Sequence, residues 1–224
     1  MMRTAALLVG LALAVPQANG SPARPFPFDV RQFKVLDERY DPENPHAEVK
    51  SYYQVIDDGH DRYIHGLYLP PRDTVTLFRE VPDELRNGVR RMTWRWRAFA
   101  LPRKGNECAG GLGDSAANVY VTWKRGLRWY SLKLIWSADA PLGATCNKIR
   151  NPFMASDSIV LRTGTTSIGW VEESIDPEAL FREHFAGGDP KADIPELQGI
   201  GLMSDGDQTL SSSGADYADF VLYK

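Results

Sequence analysis

The chain has 224 residues, of which 43% are hydrophobic, 11% aromatic and 25% charged, and this is enough apolar material for one domain with a sizeable core. Its 26 basic and 29 acidic residues give a formal net charge of −3 at pH 7. That balance excludes the strongly basic class of nucleic-acid-binding proteins, so no nucleic-acid partner is expected.

The first twenty residues have the order of a secretory signal peptide. Arg3 is followed by an unbroken apolar run at 5–15, and Ala18-Asn19-Gly20 supplies small residues for cleavage. The run of 11 residues is well short of the ~20 that a spanning helix needs. We therefore expect cleavage after Gly20, an exported chain in the periplasm or outside the cell, and no membrane anchor.

The remainder is predicted to be one domain with a short leader. Residues 21–50 contain repeated prolines and are expected to be an extended, Pro-rich leader. Residues 51–224 carry the periodic patterns and are expected to form a single domain.

Ten segments alternate between apolar and polar residues, as half-buried strands do. In the clearest of them, 91–100, Trp94 and Trp96 share one face while Arg95 and Arg97 share the other. The predicted strands are 52–56, 62–69, 73–79, 91–100, 117–124, 129–136, 157–162, 168–172, 198–204 and 217–223.

One helix is predicted near residues 177–186. Asp176 suits the N-cap, Pro177 the first turn, and Leu180, Phe181 and Phe185 form an apolar stripe. About ten strands and one short helix predict a mainly β fold, a single jelly-roll-like β-sandwich.

The order of several motifs resembles a known family. These motifs are Trp94-Arg95-Trp96, the run from Gly113 to Val121, Gly169-Trp170-Val171, the run from Gly199 to Asp207, and the ending Ala215 to Phe220. In this order the chain resembles the bacterial exported family called domain of unknown function 3047. The resemblance implies a jelly-roll sandwich similar to galactose-binding and carbohydrate-binding modules. It implies no agreed activity.

The only two cysteines, Cys108 and Cys146, are expected to form a disulfide. In an exported protein a bridge is more typical than two free thiols, and neither cysteine has a histidine or second cysteine at zinc-ligand spacing.

Two features are candidates for ligand binding. Trp129, beside Arg128 and Tyr130, is the best candidate for an exposed aromatic platform, since aromatic faces pack well on the apolar faces of sugars. Arg95 and Arg97 share a strand face that suits an anionic sugar or a carboxylate. The favoured alternative for the arginines is a solvated face paired with Asp and Glu.

The turn Asp205-Gly206-Asp207 is the candidate cation site. Alternating carboxylates around a glycine suit calcium, although the bidentate glutamate of an EF-hand is absent. We predict a structural calcium held by Asp205, Asp207 and Asp219, with a plain acidic turn as the alternative.

No catalytic residue is predicted. Gly113-Asp114-Ser115 is typical of one class of serine esterases, but no downstream Asp-x-x-His accompanies it, so a loop entering a strand is favoured. No two histidines have the spacing of a helical metal site.

These patterns favour an exported, non-catalytic binding module, with glycan or cell-envelope polysaccharide as the leading ligand class. One alternative is an envelope hydrolase that uses paired carboxylates from separate strands. The other is a structural or assembly partner of another envelope protein.

Overall fold

The computed structural model describes residues 23–36 and 51–224. The predicted signal peptide at 1–20 and most of the predicted leader lie outside these residues. The described elements, in chain order, are β1 Pro25–Pro27, β2 Lys34–Val35, β3 Tyr53–Asp57, β4 Arg62–Tyr68, β5 Leu77–Glu80, β6 Arg91–Ala100, β7 Ser115–Arg125, β8 Arg128–Ser137, β9 Thr145–Arg150, β10 Met154–Thr163, β11 Val171–Ile175, α1 Pro177–Phe185, β12 Glu196–Met203 and β13 Ser213–Tyr223, with single 3-10 turns at Val30–Gln32 and Asp83–Leu85.

The strands form two sheets. The six-stranded sheet has the order β11-β6-β13-β4-β3, with β1 also pairing to β13, and the seven-stranded sheet has the order β2-β5-β12-β7-β8-β10-β9. Among the described pairs β8 and β10 run parallel, and the others are antiparallel. The predicted mainly β, jelly-roll-like sandwich is confirmed.

The core lies between the two inner faces. Trp94 and Trp96 on β6 are fully buried, and they meet edge to face with ring centroids 5.6 Å apart. On the opposite sheet, Val121 and Trp123 of β7 and Leu132 of β8 are also buried. Burial alternates along β6, along β7 from Val119 and along β8 up to Leu134. The alternating sequence pattern therefore identifies the core face there, because successive side chains of a strand point to opposite sides.

Helix α1 begins and ends close to its predicted bounds. The carboxylate of Asp176 accepts hydrogen bonds from the backbone N–H groups of Glu178 and Ala179, both at 3.0 Å, which is the expected N-cap geometry. Phe181 and Phe185 pack edge to face on Trp123, at 5.5 and 6.2 Å between centroids, so the helix extends the core at one end of the sandwich.

Three strands were not predicted. Within the expected leader, β1 pairs with β13 of one sheet and β2 with β5 of the other, and Phe28, Val30 and Phe33 are buried in the core. The described part of the leader thus belongs to both sheets. The third, β9, follows a glycine turn and pairs with β10 at the sheet edge.

The expected disulfide is present between Cys108 and Cys146, whose Cα atoms are 5.2 Å apart. It ties the long loop between β6 and β7 to the edge strand β9. No helix in the described part of the chain combines the length and apolarity that crossing a membrane requires.

Candidate functional site

The predicted arginines lie on the outer face of the six-stranded sheet, and both are ion-paired. Arg95 bonds Asp61 at 2.7 Å and Asp219 at 2.6 Å, while Arg97 bonds Asp216 at 2.6 Å. Both guanidinium groups also lie over the ring of Trp170, at 5.0 and 4.4 Å. A ligand at this face would compete with three carboxylates of the chain itself.

Trp129 lies on the outer face of the seven-stranded sheet. Its side chain is 37% exposed, and the ammonium of Lys124 lies 4.7 Å from its ring centroid. Along β8, Trp129, Ser131 and Lys133 alternate with the buried Tyr130 and Leu132, as the alternating pattern predicts.

Neighbouring strands extend this face in two open rows. Register pairs place Lys124 of β7 and Met154 of β10 beside Trp129, and Thr122 and Ser156 beside Ser131. We call the face formed by these two rows, with Glu196 and Gly199 of β12 as their continuation, the Trp129 face. The ring of Phe78 covers its Gly199 end. Strands ~4.8 Å apart make each row of four residues ~14 Å wide.

A third row is covered by the loop between β6 and β7. Lys133 stands in this row and is bonded by Glu107, with Lys133 Nζ 2.6 Å from Glu107 Oε1. Glu107 is 3% exposed, and the amide of Asn147 donates to its backbone carbonyl at 2.6 Å. The adjacent disulfide at Cys108 fixes the loop in place over the sheet.

The third aspartate beside the acidic turn is Asp114 and not the predicted Asp219. Asp205 and Asp207 lie with Asp114, each offering one carboxylate oxygen within 4.8 Å of the others. Asp219 is instead bonded to Arg95 on the other sheet. The final strand begins at Ser213, four residues earlier than predicted, and Asp219 lies at a register irregularity between Ala218 and Val221 inside it.

Backbone donors serve these carboxylates. Asp114 accepts from the N–H groups of Gln208 and Thr209 at 3.3 and 2.6 Å, and Asp205 accepts from the N–H of Ser115 at 2.9 Å. Such bonds compensate part of the negative charge that the grouping would otherwise concentrate. A calcium ion at this turn stays a prediction, with Asp114 in the place given to Asp219.

Ser115 joins the acidic turn to Glu107. Its hydroxyl oxygen lies 2.6 Å from Glu107 Oε1, 2.7 Å from Asn118 Oδ1 and 3.2 Å from Asp205 Oδ1. The amide nitrogen of Asn118 faces the carbonyl of Met203 at 3.1 Å, which turns its oxygen toward Ser115. A hydroxyl donates a single hydrogen, so at most one of the three contacts is donated by Ser115, and a protonated carboxyl would supply a second.

This buried polar cluster of Glu107, Ser115, Asn118, Lys133 and Asp205 was not predicted as a unit. The sequence drew attention to Glu107 only through its position next to Cys108. Of the described histidines none contacts Ser115: His65 bonds Asp216 at 2.7 Å and His184 bonds Asp157 at 2.8 Å.

The pKa values of the cluster reflect its burial. Burial raises the pKa of Asp205 to about 7; the ammonium of Lys133 opposes this rise and the carboxylate of Glu107 adds to it. Burial disfavours the charge of Lys133, but nearby negative groups, Asp205 and Glu107 among them, raise its pKa overall. The cluster is therefore expected to hold charged Lys133 at any pH near neutrality and to titrate at Asp205.

We expect stability to depend on pH through Asp205. Its folded pKa of about 7 lies above the unfolded value of 3.8, so between these values the folded state binds more protons. The free energy of unfolding should therefore fall as pH rises from about 4 to about 7, by at most about 1.36 kcal/mol per pH unit. Urea titrations across this range measure the slope.

The variant Asp205→Asn should flatten this slope, because an amide does not titrate. Asp139→Asn, which changes an exposed aspartate, serves as the control and should leave it unchanged. An unaltered slope in Asp205→Asn would show that Asp205 titrates normally.

The chain was compared with known proteins. An engineered cellulase derived from that of Rhodothermus marinus matches with 13% identity and a TM-score of 0.42, covering 90% of this chain and 100% of that chain. The xyloglucanase domain of a type three effector from Sinorhizobium fredii, solved with cellobiose, matches with 8% identity and a TM-score of 0.45, covering 92% and 100%. Endoglucanase 3 of Trichoderma harzianum, from family GH12, matches with 10% identity and a TM-score of 0.41, covering 92% and 99%.

Likeness at this level concerns the fold. No curated protein matches the chain. The profile of a family described as a protein of unknown function, DUF3047, matches residues 43–221, which confirms the resemblance drawn from the ordered motifs. Because this match spans well over half of the chain, the protein belongs to the DUF3047 family.

Proposed function

We propose that this protein is an exported, non-catalytic glycan-binding module, and that the Trp129 face is its binding surface. The observation that carries the proposal is Trp129 itself, a large aromatic side chain left 37% exposed on the outer sheet face, at the turn end of β8. Burying an aromatic ring against the apolar face of a sugar is favourable in the same way as burying it in a core.

The neighbours of Trp129 suit a polyhydroxylated ligand. The hydroxyls of Ser131 and Ser156 stand side by side in the next row, and neither has a hydrogen-bond partner among the described residues. Hydroxyl groups both donate and accept, which matches the dual character of sugar hydroxyls. Lys124 lies over the ring but has no ion-pair partner in the described chain, so it is free to move to a ligand.

Binding is favoured over hydrolysis by the state of the carboxylates. Glycosidases need two carboxyl groups that reach the scissile bond. Glu107 and Asp205 both contact Ser115, but they are 3% and 5% exposed and are already engaged by Lys133 and by backbone donors. The long loop and its disulfide separate them from the open rows. The disulfide also fits the oxidising compartment that export would imply.

Trp129→Ala is expected to weaken glycan binding at least tenfold, about 1.4 kcal/mol, because it removes the stacking surface. A panel of immobilised plant and bacterial cell-wall polysaccharides identifies the ligand, and isothermal titration with a soluble fragment of it measures the affinity.

Leu127→Ala is the matched control, since Leu127 lies in the turn two residues away and is 80% exposed. It should leave the affinity unchanged, with equal melting temperatures for both variants. Undiminished binding by Trp129→Ala would move the binding surface elsewhere. Release of reducing ends from a polysaccharide, abolished by Asp205→Asn, would replace binding by hydrolysis.

A further inference from the structure

A cavity lies at the end of the sandwich that holds helix α1, and no residue of the Trp129 face lines it. It has a volume of about 380 Å³ and is lined by the segments 86–89 and 191–195, by Trp123 and Leu197, and by Pro177, Glu178 and Arg182 of α1. This volume falls in the range of small-molecule sites, and neither the glycan proposal nor the buried polar cluster uses it.

One part of the cavity is apolar. Trp123, Val89 and Leu197 contribute to its wall, and all three are core residues with at most 3% exposure. Because these side chains expose so little surface, an apolar group in the cavity gains only roughly 25 cal/mol for each Å² of them that is still open.

The charged part of the wall is mainly cationic. Arg86, Arg182 and Lys191 line the cavity together with the carboxylates of Glu178 and Asp193. Both carboxylates are already paired with arginines outside the lining, Glu178 with Arg90 at 3.0 Å and Asp193 with Arg125 at 3.1 Å. Among the cations, Arg182 also bonds Glu178, and Arg86 bonds Asp83 outside the lining at 2.9 Å. Lys191 has no ion pair within the described chain, and the three cations outnumber the two carboxylates by one, so the lining keeps a positive charge that can attract an anion.

Of the two arginines that line the cavity, Arg182 leaves more of its N–H donors without a hydrogen-bond partner in the described chain. Its guanidinium meets Glu178 through one contact of 3.3 Å, and its buried Nε–H has no hydrogen-bond partner in the described chain. A guanidinium carries five N–H donors in a planar fork that matches a carboxylate. A buried donor without a partner is costly. The Nε–H is closed to solvent, so a bound carboxylate would meet the terminal N–H groups of the same guanidinium, whose side chain is 21% exposed.

We propose that this cavity binds a small organic carboxylate, with its apolar part against Trp123 and its carboxylate on Arg182. Arg86 and Lys191 add to the positive field. The site is distinct from the Trp129 face, so the proposal stands whether or not the protein binds glycans.

Three probes with the same ring and different charge test the proposal: benzoate, benzyl alcohol and benzylamine. Titrations of the ¹⁵N-labelled protein should show benzoate binding at least tenfold tighter than either other probe. The shifts should centre on the backbone amides of Gly88, Val89 and Ala192 and on the indole N–H of Trp123.

Arg182→Gln should reduce benzoate affinity at least tenfold, down to that of benzyl alcohol. Arg162→Gln removes an ion-paired arginine of β10 outside the cavity and should bind benzoate normally. Ala192→Phe, which fills the cavity without changing charge, should abolish binding and guards against misfolding of Arg182→Gln. Equal binding of benzylamine and benzoate, shifts centred elsewhere, or normal binding by a folded Ala192→Phe would overturn the proposal.

Discussion

Glu107→Ala is expected to lower the free energy of unfolding by about 3–5 kcal/mol. The substitution leaves the ammonium of Lys133 largely buried, with 13% of its side chain exposed, and without the carboxylate 2.6 Å away. It also removes one acceptor from the hydroxyl of Ser115. Urea denaturation at pH 7, followed by tryptophan fluorescence, measures the loss.

A double substitution distinguishes the cost of leaving the Lys133 charge unpaired from the cost of disturbing the loop between β6 and β7. Glu107→Leu with Lys133→Met removes both members of the pair and should recover most of the stability, because well-packed apolar side chains often replace a buried ion pair at little cost. Asp57→Ala is the control: it breaks the exposed pair between Asp57 and Arg62 and should cost less than about 1 kcal/mol. If Glu107→Ala lost as little stability as Asp57→Ala, the ammonium of Lys133 would have to be reaching water.

Loss of the disulfide is expected to have an effect of similar size. Cys108 and Cys146 are 38 residues apart, and closing a loop of that length stabilises the folded state by about 4 kcal/mol on the chain-entropy model. The double variant Cys108→Ser, Cys146→Ser should therefore melt well below the parent protein in differential scanning calorimetry.

The reduced parent protein is the matched comparison, since it lacks the bridge but keeps both sulfur atoms. It should melt at nearly the same temperature as the double variant. If both melt like the oxidised protein, the loop over Lys133 is held by its hydrogen bonds alone.

Alternation along single strands predicted much of the fold. The buried face of β6, the core position of Leu132 and the exposure of Trp129 all follow from period-two patterns that each strand carries in its own sequence. The N-cap at Asp176 was also predictable from local sequence, because its carboxylate bonds the backbone of residues only two and three positions away. The Cys108–Cys146 bridge was predicted from the expected export of the protein and from its having only two cysteines, and no periodic pattern was involved.

The polar cluster had no such local signal. Glu107 and Asp205 reach Ser115 from two loops nearly a hundred residues apart in sequence, and only the pairing of β7 with β12 brings those loops together. Asp219 was misplaced for a different reason. A register irregularity in β13 between Ala218 and Val221 and a positive φ of 53° at Asp219 direct this residue to Arg95. Sequence alternation cannot reveal an irregularity of that kind.

The position of β13 has a consequence for the order in which the molecule can form. This last strand lies between β6 and β4 in its sheet and also pairs with β1, so that Pro25 stands opposite Tyr223. β1 is separated from its partner β13 by nearly all of the described chain, so the first strand stays unpaired until almost the whole domain is available to fold. Until then β4 and β6 each keep an open edge, which is the feature that promotes association between unfinished chains. The sandwich therefore closes only once β13 is available, and a chain that stops short of Ser213 lacks the centre of one sheet.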